Sequence, residues 1–130
     1  MAEGSVRFLF EANLPSGLAE ALGVLGEQAQ HVNQIFARGT PDETWIRYAG
    51  ERNWCIVSRD VNIRRRHHEL AALREFAVGA FFLLPGRRSP DFCKIVQTVI
   101  RHWPEMKRVA RSEPRPFQYE VRDRGVSRIR

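Results

Sequence analysis

The chain has few cysteines and no long apolar run, and these absences exclude several classes of protein. Its 130 residues include two cysteines, Cys55 and Cys93, too few for the disulfide framework of a small secreted domain. Both lie in apolar patterns, which predicts two buried thiols. No apolar run approaches the ~18 residues of a transmembrane helix, and the first four residues do not resemble a secretion signal. We therefore expect a cytoplasmic protein without a membrane partner.

Acidic residues are scarce in only one part of the chain. Residues 54–130 hold eight acids against seventeen Lys and Arg, whereas residues 1–53 hold seven acids against four. The net charges of these parts, +9 and −3, account for the total of +6. Such asymmetry predicts a polyanionic partner, with nucleic acid as the first candidate and an acidic protein as the second. The alternative is a basic surface that only maintains solubility.

Apolar stretches alternate along the chain with helical patterns. The predicted strands are continuously apolar, which is typical of a mostly parallel sheet with helices on both faces, an α/β fold. One domain is expected over 1–130, with a core at about 5–104 and a basic segment, 105–130, that adds an edge strand or a hairpin turning at Gly125. The predicted strands are 6–10, 54–58 and 77–84, and residues 29–36 are predicted to form a short strand that leads into a loop. The predicted helices are about 15–25, 40–52, 67–76 and 89–103.

Two helix starts are predicted from their capping residues. Thr40 as N-cap, Pro41 at the first helical position and Glu43 two residues later form the pattern of a capping box. Ser89 and Pro90 repeat the first part of this pattern at the start of the last helix. In that helix, Pro104 is expected to cause a kink or an interruption.

Three carboxylates are predicted to converge. Glu11 follows one apolar strand directly, and Asp60 follows a second after a single residue, Arg59. Asp42 begins the helix that leads to this second strand. In an open α/β sheet all three positions lie at the edge where the strands end, which is where ligands bind. Converging carboxylates repel one another unless a cation joins them. Mg²⁺ or Mn²⁺ suits oxygen ligands and would activate water beside a phosphate.

The residues around these acids also have structural interpretations. The helix dipole favours acids such as Glu11 and Asp42 near a helix N-terminus, and Glu43 fits the capping box. Asp60 fits a turn after a strand, and Asn13 fits a helix cap. Four arginines near Asp60 are predicted to hold a phosphate backbone, and the alternative is a solvated basic face. These arginines are Arg59, Arg64, Arg65 and Arg66.

Three stretches of the chain, "FLFEANLPSGLAEAL", "GTPDETWIRYAGERN" and "CIVSRDVNIRRR", together resemble the short PIN-like domains grouped with VapC-type toxins. The similarity covers about residues 6–84, and the C-terminal tail is similar to one subgroup. The resemblance implies a three-layer α/β/α PIN-like fold. It also implies an endoribonuclease that depends on Mg²⁺ or Mn²⁺ and is often the toxin of a type II toxin–antitoxin pair.

The resemblance assigns roles to individual residues. Glu11, Asp42 and Asp60 stand at the positions of the metal-binding and catalytic acids. Asn13 matches the asparagine of the first motif, and Ser58 matches the hydroxyl position of the strand-end motif. Glu43 is expected to support the site. The implied partners are RNA, a protein antitoxin that blocks the site, and a second copy of the chain in a homodimer.

Two positions depart from the family pattern. Glu11 stands where family members usually have Asp, and Asn62 stands where a further acid is common. A longer carboxylate moves its oxygens by about one C–C bond, and a misplacement of ~1 Å can cost ~10²-fold in rate. A catalytically degenerate RNA-binding module is therefore an alternative. A protein-interaction domain that binds an acidic partner through its basic part is another.

Overall fold

The computed structural model describes residues 6–59, 67–84 and 92–129. The predictions for Asp60, Arg64, Arg65 and Arg66, and for the helix cap at Ser89 and Pro90, lie outside these ranges. Within them, strands and helices alternate along most of the chain. The elements are β1 (Phe8–Phe10), α1 (Ser16–Val24), β2 (Ala29–His31), α2 (Val32–Ile35), α3 (Asp42–Glu51), β3 (Cys55–Ser58), α4 (His67–Glu75), β4 (Gly79–Leu83), α5 (Phe92–Ser112), β5 (Phe117–Arg122) and β6 (Gly125–Arg128).

The described strands form one six-stranded sheet in the order β2-β1-β3-β4-β5-β6. The first five are parallel, and β6 pairs antiparallel with β5. The predicted mostly parallel sheet is thus confirmed, and β5 and β6 form a terminal hairpin with Gly125 directly after its turn. The chain leaves β1 toward β2 on one side and reaches β3 on the other. The strand order therefore reverses between β1 and β3, and in open α/β sheets such a reversal marks the ligand crevice.

Helices cover both faces of the sheet, as predicted. Successive strand residues point to opposite faces, so Phe8 and Phe10 pack with α1 and α5, whereas Leu9 packs with α3 and α4. On the α5 side, the Trp103 ring lies 4.5 Å from the ring of Phe8. These two apolar cores give the predicted three-layer α/β/α architecture. No helix in the described part of the chain combines the length and apolarity needed to cross a bilayer.

Three local predictions are wrong. The short strand expected within 29–36 ends at His31 and leads not into a loop but into the short helix α2, which the His31 side chain caps. The Thr40 hydroxyl donates to the carbonyl of Ala37 instead of capping α3, which begins one residue later than predicted with Pro41 as its N-cap. Cys93, which was predicted to be buried, is exposed in the first turn of α5. At Pro104, where a kink or an interruption was expected, α5 is not interrupted, and Met106 and Val109 continue its buried face.

The end of α1 is fixed by a glycine. Gly26 adopts a φ of +87°, and the amide of Glu27 donates to the carbonyl of Leu22 at 2.9 Å, which is the Schellman pattern of a helix C-terminus. This turn places the Glu27 carboxylate against α5. There, one of its oxygens accepts from Trp103 Nε1 at 2.6 Å and from Lys107 Nζ at 2.8 Å. The contact joins α1 to α5 across the end of the α-helical layer.

The contact at Glu27 predicts that the free energy of unfolding decreases as the pH falls into the acid range. The hydrogen bond from Lys107, then that from Trp103, lowers the pKa of the Glu27 carboxyl below its ordinary value. A group whose folded-state pKa is lowered contributes fully to stability above its unfolded-state pKa, about 4.3. This contribution shrinks below that value and is lost as the pH falls through the lower folded-state pKa. We expect Glu27→Gln to cost about 1–2 kcal/mol at pH 7. Urea denaturation at several pH values measures the free energy of unfolding of both proteins, and the difference between them should shrink below about pH 4. An equal difference at pH 7 and pH 3.5 would contradict this prediction.

Candidate active site

The candidate site lies at the edge of the sheet where the parallel strands end, called here the carboxyl edge. Leu9 pairs with Ile56 in the register of β1 and β3. Two residues further on, the same register places Glu11 beside Ser58, and the alternation of side chains puts both on the α3 and α4 face. Both residues are buried, with Glu11 4% exposed. A carboxylate therefore lies at the point where the strand order reverses.

The Glu11 carboxylate joins the segments that follow β1 and β3. Its Oε2 accepts a hydrogen bond from the amide of Asn13 at 2.8 Å, and its Oε1 accepts one from the amide of Arg59 at 3.1 Å. The backbone amide of Glu11 donates to the carbonyl of Val57 at 3.0 Å. Amide donors stabilise the charged form of a carboxylate and offset the cost of its burial. Glu11 thus fixes the backbone of the residue that directly precedes Asp60.

A buried histidine fixes the other side of the loop that follows β1. His31 ends β2 beside Phe10, and its Nε2 lies 2.8 Å from the carbonyl of Leu14. Its Nδ1 accepts from the amide of Asn33 at 3.1 Å, which assigns the proton to Nε2 in this arrangement. No role for His31 in holding this loop was predicted from the sequence. The loop that carries Glu11 and Asn13 is therefore held from both neighbouring strands.

Asp42 and Glu43 lie in the first turn of α3. Because α3 precedes β3 and runs antiparallel to it, its N-terminus lies at the carboxyl edge. Asp42 Oδ1 accepts from Trp45 Nε1 at 3.2 Å, so the acid is held by a tryptophan that is buried in the core. The predicted placement of Asp42 on this edge follows from the topology. The structure joins Glu11 to Asn13 and Arg59 by hydrogen bonds. Ser58 lies beside Glu11 in the strand register, and Asp42 lies at the same edge in the helical layer.

A further acid, Glu69, was missed from the sequence. It lies in the first turn of α4 and is 6% exposed. His68 Nε2 is 3.7 Å from its Oε1 and 3.6 Å from Oε1 of Glu43, so the starts of α3 and α4 meet. The sequence interpretation treated 67–69 only as a helix start. The burial of Glu69 could have been predicted from its spacing to Leu73, because an acid four residues before a core leucine lies on the buried face of its helix.

The donor set at this edge has the chemistry that a hard divalent cation prefers. A carboxylate offers about four lone-pair sites, more than the two amide bonds of Glu11 require. However, no three His, Cys, Asp or Glu side chains within 6–59, 67–84 and 92–129 are placed to hold a metal ion. Glu11 and Asp42 do not complete a site without another ligand. The predicted third ligand, Asp60, lies outside the described residues.

Comparison with known proteins agrees with this architecture. A family model described as a PIN-like domain matches residues 6–84, well over half of the chain. The chain belongs to the PIN-like domain family. PIN-like domains generally have nuclease activity and typically depend on a divalent metal ion, so the chain has a nuclease-type fold. No curated protein and no solved structure matches the chain significantly. The family match ends after β4, so α5 and the β5–β6 hairpin lie beyond it.

Proposed function

We propose that this PIN-like domain is an endoribonuclease that depends on Mg²⁺ or Mn²⁺. The observation that carries the proposal is the buried Glu11 carboxylate at the reversal of strand order, hydrogen-bonded to the amide of Arg59. It brings the acid that follows β1 next to the segment that leads to Asp60. Membership of a family of nucleases supports the same chemistry.

The proposed roles follow from the family resemblance and, for Glu11, Asp42 and Arg59, also from their places at the carboxyl edge. Glu11, Asp42 and Asp60 would hold the metal, which when bound polarises the phosphate and lowers the pKa of a water molecule. Arg59 and the arginines at 64–66 would hold the RNA backbone. Hydrolysis forms a bond between the oxygen of water and phosphorus, and it breaks one P–O bond to the neighbouring nucleotide. The leaving oxygen then takes up a proton.

Metal removal tests the proposal. A labelled mixed RNA pool is incubated with the protein in Mg²⁺, in Mn²⁺ and in EDTA, with Asp60→Asn as the matched variant. We expect cleavage that requires the metal and is lost in the variant. Calorimetric titration with Mn²⁺ alone gives a readout besides activity, and we expect weaker binding by Asp60→Asn. Cleavage that persists in EDTA, or equal Mn²⁺ binding by both proteins, would contradict the proposal.

The more specific role is that of a toxin in a type II toxin–antitoxin pair, which we propose from the resemblance to VapC-type domains. A protein antitoxin would then block the carboxyl edge, and the free toxin would form a homodimer. A small open reading frame next to the gene is expected. Expression of the chain alone should arrest growth, and co-expression of the neighbouring protein should restore it. If cells that express the chain alone grow normally although the purified protein cleaves RNA, the toxin role is contradicted.

One observation favours a second function, an RNA-binding module without catalysis. Both oxygens of Glu11 accept backbone hydrogen bonds, so the side chain has a structural task that does not need a metal. The Glu in place of the family Asp and the neutral Asn62 also suit this function. RNA binding that weakens with salt, with no cleavage in Mg²⁺ or Mn²⁺, would distinguish the module from the nuclease.

A further inference from the structure

Helix α5 presents a row of basic side chains to solvent. These residues, called here the α5 basic stripe, are Lys94, Arg101, Arg108 and Arg111, and all four are exposed. The opposite side of the helix packs on the sheet through Ile95, Val99, Trp103 and Met106. The stripe is therefore the outward side of a helix whose other side is fixed in the core.

The spacing within the stripe keeps its charges in line. Lys94, Arg101 and Arg108 are seven residues apart, and seven residues are close to two turns, so they follow one another along the same side. At 1.5 Å per residue, the stripe from Lys94 to Arg111 is about 26 Å long. Glu105 is the only acidic residue in the sequence of α5, and it pairs with Arg108. Within the sequence of α5, the stripe therefore sets four exposed cations against one acid.

The stripe begins at the same edge of the sheet as the candidate site. Helix α5 connects two parallel strands, β4 and β5, so it runs antiparallel to them and starts at the carboxyl edge. Contacts along the helix agree with this direction. Thr98 Oγ1 donates to Asp123 after the end of β5, whereas Trp103 and Lys107 contact Glu27 before the start of β2.

We propose that the α5 basic stripe binds the phosphate backbone of RNA outside the site of cleavage. This inference rests on the proposed function for the identity of the polyanion. Protein interfaces are generally built around apolar or aromatic anchors. Gln97 and Pro104 lie between the cations here, and the exposed large apolar side chains of α5 are Phe92 at its first residue and Ile100, which is half exposed. A line of Lys and Arg with so few anchors fits phosphates, which accept charge-assisted hydrogen bonds and need no apolar contact. The stripe extends the contact of a bound strand beyond the few nucleotides at the carboxyl edge.

Binding without catalysis tests this directly. The variant Lys94→Gln/Arg101→Gln is compared with wild type and with Arg47→Gln/Arg74→Gln, which removes two exposed arginines from the opposite helical layer. A polyuridine of about 30 nucleotides is titrated in EDTA at several salt concentrations. Each phosphate contact to a single strand contributes about 0.7 to the salt slope, so the stripe variant should lose about 1.4. Its Kd at low salt should rise ~10-fold, while the control changes by less than ~2-fold.

Two outcomes would overturn the proposal. Equal losses in the two variants would mean that net charge matters and not the stripe. If the stripe variant binds polyuridine as wild type does but no longer binds polyglutamate, the stripe is a site for an acidic protein and not for RNA. A cleavage assay tests the stripe and the nuclease separately. An RNA of about four nucleotides is too short to reach along the stripe, so the stripe variant should cleave it at the wild-type rate. Lost binding of long RNA in a protein that cleaves no RNA would retain the stripe and reject the nuclease.

Discussion

Replacing Glu11 by Gln is expected to lower metal-dependent RNA cleavage by ~10²-fold or more, because the change removes a charge from the proposed metal site and loosens its geometry. The same change should lower the free energy of unfolding by about 1.5–3 kcal/mol. The amide of glutamine has the shape of the carboxylate but has one oxygen where the carboxylate has two. Its nitrogen would face a backbone N–H, from Asn13 or from Arg59, so one buried hydrogen bond is lost. Cleavage assays and urea denaturation of the same preparations measure both effects.

The conservative variant separates the two roles of Glu11. Asp at this position keeps the charge and restores the residue that the family usually has. Its shorter side chain suits a bond to the amide two residues on, but it would not also reach Arg59. We expect Glu11→Asp to lose stability while keeping more metal-dependent cleavage than Glu11→Gln. If both variants lose stability and neither loses cleavage, Glu11 is a structural residue only.

The position of the site could be predicted from the sequence because it depends on topology more than on local detail. Continuous apolar strands that alternate with helices indicate a parallel sheet, and a parallel sheet brings its strand ends to one edge. Glu11 follows β1 without an intervening residue, so an error of one or two residues in the strand could not move it away. The PIN-like resemblance rested on the same stretches and is confirmed for the family.

The features that could not be predicted depend on which of several contacts a polar side chain makes. The ring of His31 bonds Leu14, seventeen residues earlier, and no local pattern contains that contact. Thr40 had a suitable sequence for a helix cap, but its hydroxyl donates to the carbonyl of Ala37, three residues earlier. At His31 a tertiary contact outweighs the local preference, and at Thr40 one local hydrogen bond replaces another.

The uneven charge of the chain corresponds to two different surfaces. Glu11, Asp42 and Glu43 at the carboxyl edge come from the acidic part of the chain, and the family match includes all of them. The α5 basic stripe comes from the basic part, beyond that match. An acidic site that binds RNA needs nearby cations, since RNA and carboxylates repel each other. The basic C-terminal part therefore complements the acids of the PIN-like core in the proposed function.

Replacing Gly50 by Ala is expected to destabilise the protein by about 1–3 kcal/mol, although alanine favours helices. Gly50 lies in the last turn of α3, and a Cβ there would be 2.5 Å from both Cβ and the carbonyl oxygen of Phe76. A backbone atom cannot move aside as a flexible side chain can, so α3 and α4 would have to separate. This cost exceeds the ~0.5–1 kcal/mol that alanine gains over glycine inside a helix.

The matched variant is Gly23→Ala in α1, where a new Cβ would meet no atom within 4 Å other than the adjoining residues and backbone of its own helix. Here the helix preference acts alone, and we expect a gain of about 0.5–1 kcal/mol. Urea denaturation of both variants should therefore give opposite signs for the same chemical change. A stabilising Gly50→Ala would show that α3 and α4 are further apart in solution than their contact at Phe76 requires. Since these two helices bring Asp42 and Glu69 to the carboxyl edge, that result would also weaken the proposed arrangement of acids.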